Sequence, residues 1–266
     1  MTLLDVVVVA LIQGLAEVLP LGASGHLALL PASLAGVAED RAAVLLAAHG
    51  GIVLALALYF WRDLLSMGVG LWKLVKGRPD NGTRLFFRLL VGTVPVALAG
   101  WAIGHIELPQ TGVGTAAAAL LVFGGALLVA DKIGMTVRRI DHLSFTGAFI
   151  IGALQVVALI PGVSRTGITV TAARVMGFER VEAARFSLLL ALPLMCGSAA
   201  NSAWALWQQE ALTVSSDLVT TTVLAALAAL IATAAMIAWI RRNSYAPFAV
   251  WRIVLGAGAL AWMALG

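Results

Sequence analysis

Apolar residues run together in six uninterrupted stretches along the chain, at about 43–61, 85–104, 113–131, 186–207, 218–240 and 246–265. Each is close to the ~20 residues that one helical crossing of a bilayer core requires, so the pattern predicts about six spanning helices. Two further segments, 3–36 and 145–177, are apolar on average but are broken at their centres by LPLGASGH and IPGVSRTG. A break of this kind frees backbone groups that lipid cannot satisfy, and it survives only where it lines a protein or water cavity. The two segments are therefore expected to be broken helices packed inside the bundle.

Loop charges predict how these segments run. Arg62, Lys73, Lys76, Arg78 and Arg84 lie in 62–84, Lys132, Arg138 and Arg139 in 132–144, and Arg241 and Arg242 in 241–244. The positive-inside rule makes these loops cytoplasmic. The stretches 105–112, with Glu107, and 209–217, with Glu210 and Asp217, lack Lys and Arg and read as periplasmic. Passing from 132–144 to 209–217 takes an odd number of crossings, and 186–207 already supplies one. Segment 145–177 must therefore enter and leave on the same side. Counting backwards, 43–61 starts outside, at the loop of Glu39, Asp40 and Arg41. Segment 3–36 then either dips from the periplasm or crosses twice, and the dip is the better match to its twin.

The two dips also resemble each other. Gln13 to Gly25 reads QGLAEVLPLGASG, and Gln155 to Gly167 reads QVVALIPGVSRTG, equal in length with a proline near the middle. With opposite entry sides, this predicts an all-α polytopic membrane protein: six spanning helices plus two re-entrant helix pairs in an inverted-topology repeat, with a site near the midplane where the broken helices meet. The stretch 64–76 reads as an interfacial amphipathic helix. Trp61, Trp72 and Trp207 fit an aromatic belt, and the Gly and Ala residues of 112–126 read as packing surface.

Composition agrees. With 61% hydrophobic and 11% charged residues and a mean hydropathy of +1.00, the chain fits no soluble globular class, and residues 1–266 read as one membrane domain. The net charge of +4 sits in short loops rather than in a patch interleaved with aromatics, so nucleic acid is not an expected partner. Cys196 is the only cysteine, which excludes an intrachain disulfide and a thiolate metal cluster. Asp5, Gln13 and Glu17 interrupt the apolar start without a cleavage site, so a cleaved signal peptide is not expected. The chain has no GxxxxGK[ST], HExxH, CxxC or GxSxG pattern, which argues against nucleotide-driven transport, zinc hydrolysis and ordinary serine-hydrolase chemistry.

The candidate chemistry lies in the two breaks. Gln13 and Glu17, four residues apart, share one helix face, and Ser24 and His26 follow just past the break. A carboxylate inside a bilayer is expensive, so Glu17 is expected to work with a metal or a basic partner; the blander reading is a helix-packing ion pair. His26 is either a packed imidazole or, close to Ser24 and across the break from Glu17, a proton carrier. At 161–169, PGVSRTGIT sets Gly162, Ser164, Arg165, Thr166 and Thr169 at the start of a helix. Backbone N–H groups, hydroxyls and a guanidinium there form an anion site, and phosphate suits the bidentate geometry of Arg. The alternative is a Ser/Thr cap with Arg165 snorkelling to the interface. Arg174 either adds charge or marks the cytoplasmic end. His49 either lines the site or belongs, with Gly50 and Gly51, to a packing face.

QGLAE followed by PLGASGH, and then PGVSRTGIT, resembles the undecaprenyl-diphosphate phosphatase family linked to bacitracin resistance. That family has a Glu-or-Gln, three residues, Glu pattern, then a histidine, then Pro-Gly-x-Ser-Arg-Ser/Thr-x-x-Thr. All occur here in order, at Gln13 and Glu17, at His26, and from Pro161 to Thr169, and the resemblance spans essentially the whole chain. It implies hydrolysis of undecaprenyl (polyisoprenyl) diphosphate to the monophosphate in the bacterial inner membrane, at a pocket open to the periplasm, recycling the carrier for cell-wall synthesis. It also implies a divalent cation, Mg2+ or Ca2+, with Glu17 and Gln13 as metal positions. Glu17, His26, Ser24 and Arg165 become the catalytic set, and Gly162, Ser164, Arg165, Thr166 and Thr169 hold the phosphates. The expected partners are the polyisoprenyl diphosphate and membrane lipid, with a homodimer left open. Many relatives carry two serines where this chain has Gly22 and Ala23, so either Ser24 or a metal-bound water attacks, or the protein is a weak phosphatase. The rival reading is a polyisoprenyl-phosphate flippase without hydrolysis.

Overall fold

The computed structural model of the chain describes residues 3–30, 41–103, 112–210 and 215–265, with side chains from residue 43 onward in the second stretch. The loop acids Glu39, Asp40 and Glu107 lie outside the described residues. Regular structure within them is helical: α1 Leu3–Val18, α2 Ala23–Ala28, α3 Arg41–Tyr59, α4 Trp61–Val75, α5 Asn81–Ile103, α6 Val113–Ile133, α7 Phe145–Gln155, α8 Arg165–Val175, α9 Arg180–Gln208, α10 Ser216–Ile240 and α11 Ala246–Leu265. Short 3-10 turns occupy Ile140–His142 and Val156–Leu159.

Five of these helices, α5, α6, α9, α10 and α11, are long and apolar enough to cross a membrane. The sixth expected span is α3. It stops at Tyr59, and α4 sets off at 80° to it, so the amphipathic stretch begins at Trp61, three residues before the 64–76 read from sequence. Internal prolines, Pro95 in α5 and Pro193 in α9, stay inside their helices. The chain is an integral membrane protein of all-α type.

Proline and glycine set both breaks. Pro20 disfavours helix at Leu19, so α1 ends at Val18, and Gly22 then takes φ +90. Pro161 likewise keeps Ile160 extended, at ψ 123, after the 3-10 turn, and Gly162 takes φ +93. From these breaks α2 starts at Ala23 and α8 at Arg165. These positions match in the QGLAEVLPLGASG and QVVALIPGVSRTG register.

The return of the second dip is visible in the backbone. Arg138 N–H donates to Gly177 O at 3.0 Å, and Glu179 N–H donates to Arg138 O at 2.9 Å. The chain entering α7 and the chain leaving α8 thus lie side by side, as the loop charges required. Asp131 at the end of α6 reinforces this edge: its carboxylate accepts from Arg174 Nε at 3.1 Å, Arg180 Nε at 2.7 Å and the Tyr245 backbone N–H at 2.9 Å. Arg174 also donates to the carbonyls of Met135, Phe178, Asp131 and Gly134, so it ties α8 to its own edge.

Helix partners exchange as an inverted repeat demands. α1 packs on α10 and α7 packs on α5, while α3 packs against α9 and α6 against α11. Exchanging α1, α3, α5 and α6 with α7, α9, α10 and α11 reproduces these pairs. Gly152 of α7 approaches Gly92 of α5 so closely that a Cβ there would strike its backbone. The re-entrant reading predicts that cysteines placed near 140 and near 181, on a background lacking Cys196, both react with a membrane-impermeant thiol reagent only when the face of the basic loops is opened. Labelling of either from the opposite face would overturn it.

Candidate active site

The tips of the two broken helices meet. Glu17, in the last turn of α1, pairs with Arg165 at the first position of α8: Arg165 Nε lies 3.1 Å from Glu17 Oε1, with the arginine side chain 7% and the carboxylate 19% exposed. The Glu17 carbonyl accepts from the Thr166 hydroxyl at 2.7 Å and from Arg165 Nη2 at 3.4 Å. Gly162 N–H points at Ser24 Oγ, 3.4 Å away. A Cβ on Gly22 would lie 3.2 Å from Ser164 Cβ.

That last contact marks the centre of the repeat. Gly22 and Ser164 occupy matching places in the two aligned segments, both are the residue before a short helix, and both have positive φ, +90 and +68. The pseudo-twofold relation therefore runs between them. Ser164 is not a glycine, and a left-handed φ costs a residue with a Cβ about 1–2 kcal/mol. Its Oγ offsets part of this by accepting from Gly167 N–H at 3.1 Å, a helix cap. Ser164→Gly is expected to leave thermal stability nearly unchanged, because relieved strain offsets the lost cap. Ser164→Ala keeps the strain and loses the cap, and should cost about 1 kcal/mol in a reversible unfolding measurement.

His26 is held from both sides. Its Nδ1 lies 2.8 Å from Gly22 O, and the Trp251 indole N–H donates to its Nε2 at 2.9 Å. A carbonyl only accepts and an indole N–H only donates, so the ring is neutral with the proton on Nδ1. The indole and imidazole are nearly parallel, 4° apart, with centroids at 6.4 Å. Neither ring nitrogen is directed at Ser24. Ser24 itself is exposed, whereas Ala23 is only 1% exposed.

The remaining hydroxyls of the motif are used inside the protein. Thr169, 1% exposed, donates to Arg165 O at 2.9 Å and meets Ser187 Oγ at 2.6 Å, which faces it toward α9 rather than the tip. Thr166 is spent on Glu17 O. Arg165 Nη1, by contrast, is buried with no hydrogen-bond partner, and it is the donor left for an anion. Gln13, one turn before Glu17, is buried. His49 on α3 contacts Ser198 Oγ at 3.0 Å and lies within electrostatic reach of Glu17 and Arg165, while Gly51 beside it packs against α10. Gly50 faces open space.

Two residues absent from the sequence reading complete the site. Arg252 of α11 is fully buried and donates Nη2 to Gly162 O at 3.0 Å and Val163 O at 2.6 Å. Its Nε and Nη1 have no partner, and its charge stands behind the Gly162–Val163 loop. Trp251, its neighbour, fixes His26. An arginine within an apolar run was the available signal for the first; nothing in the pattern marks the second.

Among the described residues, no group of three or more His, Cys, Asp or Glu is placed so as to hold a metal ion. Glu17, with the buried Gln13 one turn before it, offers a carboxylate and an amide oxygen, donor types that a hard cation such as Mg2+ takes together with phosphate oxygens and water.

Fold and geometry together define an integral membrane protein whose polar site is built where the tips of two broken helices meet. The chain belongs to the family described as Bacitracin resistance protein BacA, whose profile matches residues 6–258. It is 53% identical to undecaprenyl-diphosphatase 1 of Paramagnetospirillum magneticum, over 100% of this chain and 99% of that one. It is 43% identical to undecaprenyl-diphosphatase 1 of Rhodospirillum rubrum, over 100% and 97%. Identity to the undecaprenyl-diphosphatase of Roseobacter denitrificans is 37%, over 96% and 97%.

Proposed function

We propose that this protein removes the terminal phosphate of undecaprenyl diphosphate, at a site facing the periplasm in the bacterial inner membrane, and so returns the lipid carrier for cell-wall synthesis. The observation that carries this reading is the buried Arg165 with one free donor, beside Glu17 and backed by Arg252. A diphosphate brings concentrated negative charge into a medium of low dielectric, and cations of this kind are what it requires. The names of the relatives support the same substrate.

In this reading Arg165 binds the diphosphate through Nη1. Arg252 adds positive potential through the Gly162–Val163 loop, and the N-terminus of α8 adds its dipole. Glu17, with the Gln13 amide, would hold a divalent cation, which when bound supplies charge neutralisation on the phosphate oxygens. His26 has no hydrogen bond to Ser24, and this favours attack by water over a serine nucleophile. His26 moves a proton at Nε2 once Trp251 releases it.

Ser24→Ala is accordingly expected to turn over within about threefold of wild type, without a trapped phosphoenzyme, well short of the 10²–10⁴-fold that a lost acid–base group costs. Ala23→Ser buries an added hydroxyl without creating a nucleophile and should leave the rate unchanged or slightly changed. A labelled phosphoserine at 24 would sink direct attack by water.

The pseudo-twofold contact of Gly22 and Ser164 favours a second reading, transport of a polyisoprenyl phosphate by alternating access of the two halves. Release of inorganic phosphate from undecaprenyl diphosphate by the purified protein, with and without chelator, separates the two. Chelator-sensitive release is expected, and a transporter alone would release none.

A further inference from the structure

The edge of the bundle that carries the basic loops has a polar cavity of its own, of about 340 Å³. Arg62, Asp63 and Ser66 of α4, Asn81 and Arg88 at the start of α5, and Arg185 of α9 line it. Its charges do not cancel. Arg185 spends Nε and Nη2 on Asp63, and its Nη1 lies 3.7 Å from Glu182 Oε2, so these three groups together carry one negative charge. Arg88 is 8% exposed, gives Nη1 and Nη2 to the carbonyls of Ile140 and Asp141 at 3.2 Å each, and leaves Nε without a partner. Arg62 is exposed, 5.3 Å above the Trp61 ring. Asp141, which also lines the cavity, and the surplus acid of the Arg185 cluster offset two of the three remaining arginines, Arg62, Arg88 and Arg84, the last within electrostatic reach of Arg88. The cavity thus keeps net positive charge, with the Ser66 hydroxyl and the Asn81 amide as neutral donors.

Its place in the fold says which anion reaches it. α4 leaves α3 at 80° and exposes Leu65, Val69 and Trp72 on the side away from the buried Met67 and Gly70. A helix of this kind lies in the membrane interface, at headgroup depth. Lys76, over the Trp72 ring at 4.8 Å, adds positive charge at the end of the same helix, while Lys73 is paired with Asp80 at 2.8 Å. Basic pockets between helices at that depth suit anionic headgroups. We propose that this cavity binds the phosphate headgroup of an anionic phospholipid, whose acyl chains stay in the leaflet beside α4. The site is separate from the Glu17–Arg165 centre and shares no residue with it.

The test is native mass spectrometry of the full chain, purified in detergent and given equal amounts of phosphatidylglycerol and phosphatidylcholine. Wild type is expected to retain phosphatidylglycerol about fivefold over phosphatidylcholine, the scale of one basic residue near a membrane surface. Arg62→Gln removes an exposed charge, and Asn81→Asp adds an acid in the first turn of α5, where the helix dipole favours it, so both variants fold. Each should bring the preference close to one. Equal retention of the two lipids by wild type overturns the proposal, as does a preference that both variants leave intact. Protection of wild type from thermal unfolding by millimolar inorganic phosphate, without any lipid preference, overturns the lipid as occupant and leaves a site for free anions.

Discussion

Arg165→Ala is expected to lower phosphate release by about 10³-fold or more, the scale on which a buried donor to developing negative charge acts. Three roles fall together in this variant. The free Nη1 is lost, the guanidinium that faces Glu17 is lost, and so is the Nη2 bond to the Glu17 carbonyl. Breaking one side of a buried ion pair costs about 3–5 kcal/mol in general. The cost here should fall at the low end, because the Glu17 side chain is 19% exposed and recovers some hydration. Arg165→Lys separates binding from stability: it retains the charge beside Glu17 but loses the planar fork, so its unfolding temperature should stay near wild type while KM for the diphosphate rises. Near-normal KM and turnover in Arg165→Lys would remove Arg165 from the phosphate site. A shared fall in stability and activity in both variants would make it structural.

The main lines of this fold were readable because lipid makes polarity costly. Loop charges placed the ends of 145–177 on one side, and the Arg138–Gly177 and Glu179–Arg138 hydrogen bonds put them side by side. The equal length of QGLAEVLPLGASG and QVVALIPGVSRTG placed the breaks in register, and Gly22 and Ser164 occupy matching left-handed positions. That the two tips meet also followed from the repeat. What did not follow is how each polar group is spent. Thr166 and Thr169 look like phosphate donors in PGVSRTGIT, but Thr166 is taken by the carbonyl of Glu17, and Thr169, whose proton goes to its own helix, meets the hydroxyl of Ser187. Those partners are 149 and 18 residues away, and only packing reveals them. Asp131 was hidden for the same reason. At the end of an apolar run it reads as a boundary, yet it joins Arg174, Arg180 and Tyr245 from two other connections.

Glu17→Gln is expected to abolish most turnover and its dependence on divalent cation while leaving diphosphate binding in place. The geometry makes this variant gentle to the fold. Thr166 and Arg165 Nη2 bond the backbone carbonyl of residue 17, which the substitution does not touch, and the new amide oxygen can still accept from Arg165 Nε. What changes is charge. Glu17 neutralises Arg165 in the resting protein, and the same negative charge would repel an arriving diphosphate unless a cation lies between them. Its removal frees Arg165 for substrate but takes away the carboxylate proposed to hold the metal. Binding should therefore become metal-independent and at least as tight as in wild type, while the rate falls by about 10²-fold or more, as expected when charge neutralisation of the transition state is lost. Titrating Mg2+ against substrate binding and phosphate release reads the two effects separately. Turnover in Glu17→Gln that stays near wild type and sensitive to chelator would place the metal elsewhere and leave Glu17 as the ion-pair partner of Arg165 alone.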